Sequence, residues 1–375
     1  MKCSQLLIQF LLFTVIYSAE LSVIEFQYNI FKTILFSKLQ KNVIVSPLAI
    51  HQLISLISNG ALGSTQNQMS QSLKSKSVIE LNKENTKIHT LLYTNTTLYN
   101  NFIIANGIFS KFAPKKQFID QVIMRYNATI EQLVNDNQIN SWCKTRTRGR
   151  IKDIVSFTEK MSLLLLSGVT FQAKWKFPFK EYLTTKEKFN ANETVDMMHI
   201  KFSNVSYYEN ENVKIIELPL ENNSKSVVIL PAEDIQIDIF LANLSNNIIK
   251  EYLSLLTEQA VLFSFPRFEL GNDIVLNEMM KTLGMEDAFD EEKAKFSTIS
   301  EEGKIFISRI KHMTYIKVNE KGIDIDSLSV SPFAGANKKE EKIKQMNVNR
   351  PFFFGITHSE LGDMFLFMCK IEQIN

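Results

Sequence analysis

At Leu163 the chain changes character. Before that point its apolar residues recur at helical spacing. Leu48, Leu53, Leu56 and Ile57 fall at spacings that can form one face, with Ser46-Pro47 as a start signal. Phe118–Tyr126 and Ile139–Trp142 read in the same way. From Leu163 to Leu166 the run is unbroken and apolar, the pattern of a strand buried on both faces. Ser226–Leu230, Val261–Phe265, His312–Val318 and Met364–Met368 are further strand segments ended by turn residues. Helices first and strands later predict an α+β fold. The length would allow two domains. No Pro/Gly/Ser linker, internal repeat or compositional break separates them, so residues 20–375 are read as one domain.

One segment resists both patterns. After Asn319 comes an alternating stretch, then Ser-Pro-Phe-Ala-Gly-Ala-Asn, then the almost wholly charged Lys338–Lys344, ending near Met346. A loop of this length inside a compact domain is usually functional or disordered. Strand-like segments on both sides favour function.

The amino terminus predicts export. Lys2 precedes the run Leu6–Ile16, interrupted only by Gln9 and Thr14, and Ser18 and Ala19 suit cleavage. Residues 1–19 are therefore read as a signal peptide. The run is too short to span a bilayer, and no later segment is long and apolar enough. Six Asn-x-Ser/Thr triplets, at Asn95, Asn127, Asn192, Asn204, Asn222 and Asn243, predict a glycoprotein. With Cys3 removed, only Cys143 and Cys369 remain, and both are expected as free thiols. A domain of about 355 residues can bury a large core without disulfide staples.

A formal charge of +2, with acids and bases interspersed, gives no signal for nucleic acid. The basic stretch Lys144, Arg146, Arg148, Arg150, Lys152 reads as a solvated face. There is no Gly-x-Ser-x-Gly elbow, His-Glu-x-x-His pair, phosphate-binding glycine loop or Cys/His cluster. His51, His89, His199, His312 and His358 are scattered and read as structural. The expectation is a monomeric non-enzyme with no metal and no cofactor.

Several segments, in chain order, resemble the serpins over nearly all of residues 20–375. They are Asn42–Ile50 with Asn59–Thr65, Ala105–Phe109, Ile139–Trp142 with Thr147–Ile151, and Phe171–Trp175 with Phe179. Glu217-Leu218-Pro219, Ile229-Leu230-Pro231 and Leu283–Met285 with Phe289 continue the series. The most specific match is Met346–Ile356, centred on Asn349-Arg350-Pro351-Phe352, with Leu366–Met368 after it. The resemblance implies helices packed on a large central mixed sheet, two further sheets and an exposed reactive-centre loop at about 320–345. It implies an extracellular serine protease as partner, trapped as an acyl-enzyme when the cleaved loop inserts into the central sheet.

The hinge of such a loop would be Glu320, Lys321, Gly322, Ile323, Asp324 and Ile325. Glu320–Gly322 fits the family. Inhibitors of the family then carry Thr or Ser and a run of small residues, whereas this chain has Ile323, Asp324, Ile325 and Asp326. Period-2 alternation points the isoleucines inward and the aspartates outward. Bulky β-branched groups that must pass a closed sheet would slow insertion. Four residues match the region called the shutter, Ser46, Ala49, Ser167 and His312; Ser167 stands for an Asn and Ala49 for a Ser. Sixteen residues after Glu320 the bait bond falls at Ala336-Asn337, with Lys338 or Lys339 as the alternative specificity residue. Two functions follow from the resemblance: an inhibitor that traps a protease covalently, or a non-inhibitory protease substrate, binding or signalling protein.

Overall fold

The computed structural model describes residues 22–37, 40–94, 101–151, 158, 161–190, 193–325 and 343–374. The signal-like segment, Asn95, Asn192 and the bait-bond alternatives Ala336, Asn337, Lys338 and Lys339 lie outside the described residues.

Helix α1 (22–37) leads to strand β1 (Val43–Val45) and helix α2 (Pro47–Ser58). Pro47 suits a first helical turn, where its missing N–H has no partner to lose. All 12 residues of α2 are buried, so it is a core helix and not the amphipathic one its spacing suggested. Helices α3 (Gly63–Ser72), α4 (Val78–Thr94), α5 (Lys116–Tyr126) and α6 (Asp136–Arg146) follow, interleaved with strands β2 (Phe102–Ser110) and β3 (Thr129–Gln132). Helix α6 extends beyond Ile139–Trp142 at both ends; the added residues are mostly polar, with Cys143 buried, and the Asn135 side chain accepts from Gln138 N–H at its start.

The central sheet has seven strands. Its order is β3–β2–β4–β12–β13–β5, with β11 paired to β12. Here β4 is Leu163–Phe171, β5 Ala173–Lys174, β11 Phe268–Val275, β12 Ile307–Asn319 and β13 Gly322–Ile323. Strands β4 and β12 run parallel; β2 and β4 run antiparallel. The apolar run at Leu163 is buried on both faces, as its pattern predicted. Leu163 and Leu165 join the main core, while Leu164 and Leu166 join a second cluster with Phe109, Ile139, Cys143 and Met313 under α6. Helix α6 therefore covers the outer face of this sheet. A Cβ on Gly107 would stand 2.8 Å from the Trp142 ring, so the close approach of α6 to β2 depends on that glycine.

The other sheet has nine strands. It contains β6 (Thr185–Phe189), β7 (Glu193–Glu209), β8 (Val213–Pro219), β9 (Ser224–Pro231) and β10 (Thr257–Pro266). Strands β14 (Lys344–Asn347), β15 (Phe352–His358), β16 (Phe365–Ile371) and β1 complete it. The two further sheets implied by the resemblance are continuous here, because β7 pairs with β6 along its first residues, with β10 from Met197 to Tyr207 and with β8 from Ser206 to Glu209. Phe263, Phe265, Phe268, Phe352 and Phe354 form a chain of ring contacts beneath it. Cys143 and Cys369 are free and buried, one on the inner face of α6 and the other in the main core.

Candidate functional site at the head of the central sheet

Strands β4 and β12 are neighbours from Leu163/Ile307 to Thr170/Tyr315. Above that stretch they part. The chain turns at Glu320 and Lys321 and comes back as β13, which pairs with β12 (Val318 with Ile323) and with β5 (Lys174 with Gly322). Gly322–Ile323 thus stands as a two-residue strand wedged into the head of the sheet. A Cβ on Gly322 would sit 2.2 Å from the Ala173 carbonyl oxygen and 2.8 Å from Lys174 Cα, so this approach needs glycine.

The turn below is tied down from several sides. Asn319 Oδ1 accepts from the N–H groups of Lys321 and Gly322. Trp175 Nε1 donates to the Asn319 carbonyl at 2.8 Å, and Trp175 N–H to that of Lys321. The Glu320 carboxylate is buried against the Arg267 guanidinium and accepts from Thr184 Oγ1 at 2.6 Å. Burial alone would raise its pKa, but these partners hold it below the ordinary carboxylate value.

Ile323 is fully buried in the main core. Asp324 leaves on the opposite side and is nevertheless only 2% exposed. Its carboxylate lies 2.9 Å from Arg150 Nη2 and accepts from Gln172 Nε2 at 3.0 Å. Its N–H donates to the Lys317 carbonyl, and its φ of +52° turns the chain away from the strand. The Arg150 guanidinium lies 5.8 Å from the centre of the Tyr315 ring. Ile325 is half-buried, and its carbonyl accepts from Asn319 Nδ2.

Lower in the sheet, Asn106, Ser167 and His312 lie in register across β2, β4 and β12. His312 Nε2 accepts the backbone N–H of Ser46 at 3.0 Å, and Asn106 Nδ2 donates to the Ala49 carbonyl at 3.3 Å. Burial pushes the His312 imidazole down to about 3, which keeps it neutral and able to accept. Ser167 Oγ finds no protein partner among the described residues. The start of α2 is therefore hung from the sheet by His312 and Asn106, not by the serine at position 167.

A family model described as "Serpin (serine protease inhibitor)" matches residues 22–374. The chain belongs to the serpin family. It is 28% identical over 360 residues to macrophage plasminogen activator inhibitor 2 of Mus musculus, across 79% of this chain and 86% of that one. Among solved structures it is 28% identical to tengpin, a thermophilic serpin in its native state. That match has a TM-score of 0.82 and covers 94% of this chain and 93% of tengpin. Human thyroxine-binding globulin shares the fold at 20% identity, with a TM-score of 0.85 over 96% of this chain and 99% of that one.

The structure places the expected hinge, Glu320–Ile325, against β12 and β5 at the head of the central sheet, and it brings Ser46, Ala49, Ser167 and His312 together where β4 and β12 are paired. Two sequence expectations change. Ile323 does not face a closed sheet that it must still enter, because it already occupies the sheet and is packed in the core. Asp324 does point away from the core, as alternation requires, but that side is covered by the segment after α6 and is not open to water. Arg150 likewise is not a solvated basic residue but the partner of Asp324. Asn106, Gln172, Thr184 and Arg267 escaped the sequence reading. A lone Asn in an apolar strand was a signal for the first; the others gave none, since their partners are remote in the chain.

Proposed function

We propose that this chain is an extracellular inhibitor that traps a serine protease through the segment between β13 and β14. The observation that carries the reading is Gly322–Ile323 already seated between β12 and β5. Continuing this strand downward between β4 and β12 would replace one strand pairing by two, so each added residue gains backbone hydrogen bonds. The protease serine oxygen attacks the bait carbonyl, the amine of the next residue leaves with a proton, and the ester persists if insertion outpaces its hydrolysis. The similarity to plasminogen activator inhibitor 2 supports the same reading.

Export is part of the proposal. It rests on Lys2 with the Leu6–Ile16 run and on the sequons. Asn127, Asn204 and Asn243 are exposed, and Asn222 sits half-exposed on the β8–β9 turn. Expression in a secretory host should give a shortened, glycosidase-sensitive protein in the medium.

One observation favours the second reading, a serpin that is cleaved without trapping. Asp324 breaks the strand after two residues and is buried against Arg150. Further insertion must disturb that pair, and slow insertion would leave a substrate. Incubation with elastase-like and trypsin-like proteases separates the two. An SDS-stable complex supports trapping; clean cleavage within 326–342 supports the substrate reading.

A further inference from the structure

On the exposed face of the nine-stranded sheet, three strands bring a serine, a histidine and a glutamate into one chain of hydrogen bonds. We propose that Ser264, His199 and Glu187 form a nucleophilic site that cleaves small uncharged carboxylic esters. The inference is independent of protease inhibition, since none of the three lies in the hinge or in the segment between β13 and β14.

Ser264 on β10 and His199 on β7 are direct partners in the antiparallel ladder. His199 Nδ1 lies 2.9 Å from Ser264 Oγ, and His199 Nε2 lies 3.0 Å from Glu187 Oε1 on β6. Thr185 Oγ1 donates to the same Glu187 oxygen at 3.0 Å and stands 2.8 Å from His199 Nε2. One tautomer satisfies all of these contacts. Its Nε2–H is shared between Glu187 and Thr185, which leaves Nδ1 bare to accept the Ser264 hydroxyl. A hydroxyl joined to a base that a carboxylate orients is the arrangement acyl transfer requires, and it is recognised by geometry, not by sequence position. Positions 187, 199 and 264 form no local motif.

The surroundings suit the reaction. The His199 side chain is 29% exposed and Ser264 is half-buried, so a ligand can reach both. They line a cleft of about 290 Å³ together with Leu262, Gln345 and Asn347. Asn347 on β14 pairs with Ser264 from the side opposite His199, and Gln345 pairs with Leu262 two residues away. Neither amide side chain is hydrogen-bonded to another group among the described residues, so both can donate to a developing oxyanion. Leu262 is 40% exposed and offers apolar surface to a short acyl chain.

Ser264 Oγ would attack the ester carbonyl carbon while its proton passes to His199 Nδ1. The tetrahedral intermediate then expels the alcohol, which takes that proton. Water attacks the acyl-Ser264 ester and gives a proton to His199; Ser264 leaves with it, and the carboxylic acid is released. Glu187 is a positioning residue that holds the ring and its tautomer throughout.

The test uses the full chain. A fluorophosphonate is added and the modified residue mapped by mass spectrometry; hydrolysis of p-nitrophenyl acetate is followed in parallel. We expect one phosphonyl group on Ser264, with fluoride displaced, and none on the unfolded chain. Ser264→Ala should lose both the label and the hydrolysis. His199→Gln should slow both by about 100-fold, and His199→Asn stands in if that variant does not fold. Glu187→Gln should lower kcat with KM little changed, and Glu187→Asp should restore part of the loss. A merely structural role for Glu187 would not produce that split. No label on Ser264 in the folded wild type, or equal labelling in a folded His199 variant, overturns the site.

Discussion

His312 Nε2 accepts the backbone N–H of Ser46, so one neutral imidazole joins the middle of β12 to the start of α2. The bond requires an unprotonated nitrogen, and the ring is fully buried. The centre of the central sheet is therefore built around a group that must not take up a proton.

Acid should loosen the protein well before its carboxylates titrate. His51 and His312 are both pushed down by burial to about 3, whereas unfolded histidines protonate near 6.5. Stability is thus unaffected above that value and falls as pH drops below it, because the unfolded chain binds protons that the folded one refuses. By pH 5.5 each histidine should remove about 1.4 kcal/mol. Stability should be lower at pH 5.5 than at pH 7.5, and His312→Gln should remove about 1.4 kcal/mol of the difference. Equal midpoints would show that the imidazoles are not held neutral.

Gly322→Ala should dislodge β13. The added methyl would overlap the Ala173 carbonyl, which is backbone and cannot swing aside. We expect a loss of about 1–3 kcal/mol, with amide protection lost at positions 322 and 323 and retained in β12. Protection preserved at both positions would mean that the strand tolerates a side chain there.

Ile323→Thr tests whether the side chain is an obstacle or an anchor. Ile323 is already packed in the core, so the change should destabilise the intact protein by about 1–3 kcal/mol. The inserted form would lose similar packing. Cleaving the segment 326–342 should therefore shift the melting temperature of variant and wild type by the same increment. A larger increment in the variant would restore the view that Ile323 impedes insertion.

Both thiols should be inert until the protein unfolds. Burial pushes the Cys143 thiol up to about 12, and that of Cys369 higher still. Alkylation of the native protein at pH 8 should be slow, and denaturation without reductant should give two modified cysteines. Zero would reveal a disulfide that the positions of Cys143 and Cys369 argue against.

The sequence by itself determined the class of fold, because period and composition are local. Strand patterns dominate from Leu163, although β1, β2 and β3 precede it and short helices follow, and the four leucines from that point demanded cover on both faces. The ordered motifs from Asn42 to Met368 carried the family, and the strand-bounded segment after Asn319 carried the expectation of a reactive loop. Only the tertiary contacts fixed how Gly322–Asp324 are held. Alternation correctly turned Ile323 inward and Asp324 outward, but it could not say that the strand was already in the sheet or what lay over its outer face. Asp324 would be a solvated carboxylate on any isolated strand. It is buried here because two left-handed residues after α6 bring Arg150 across to it, and a contact between segments so distant in the chain leaves no local pattern to read. The same holds at His312, whose partner is the backbone N–H of Ser46: every residue except proline offers that group, so the serine itself gave no sign of the bond.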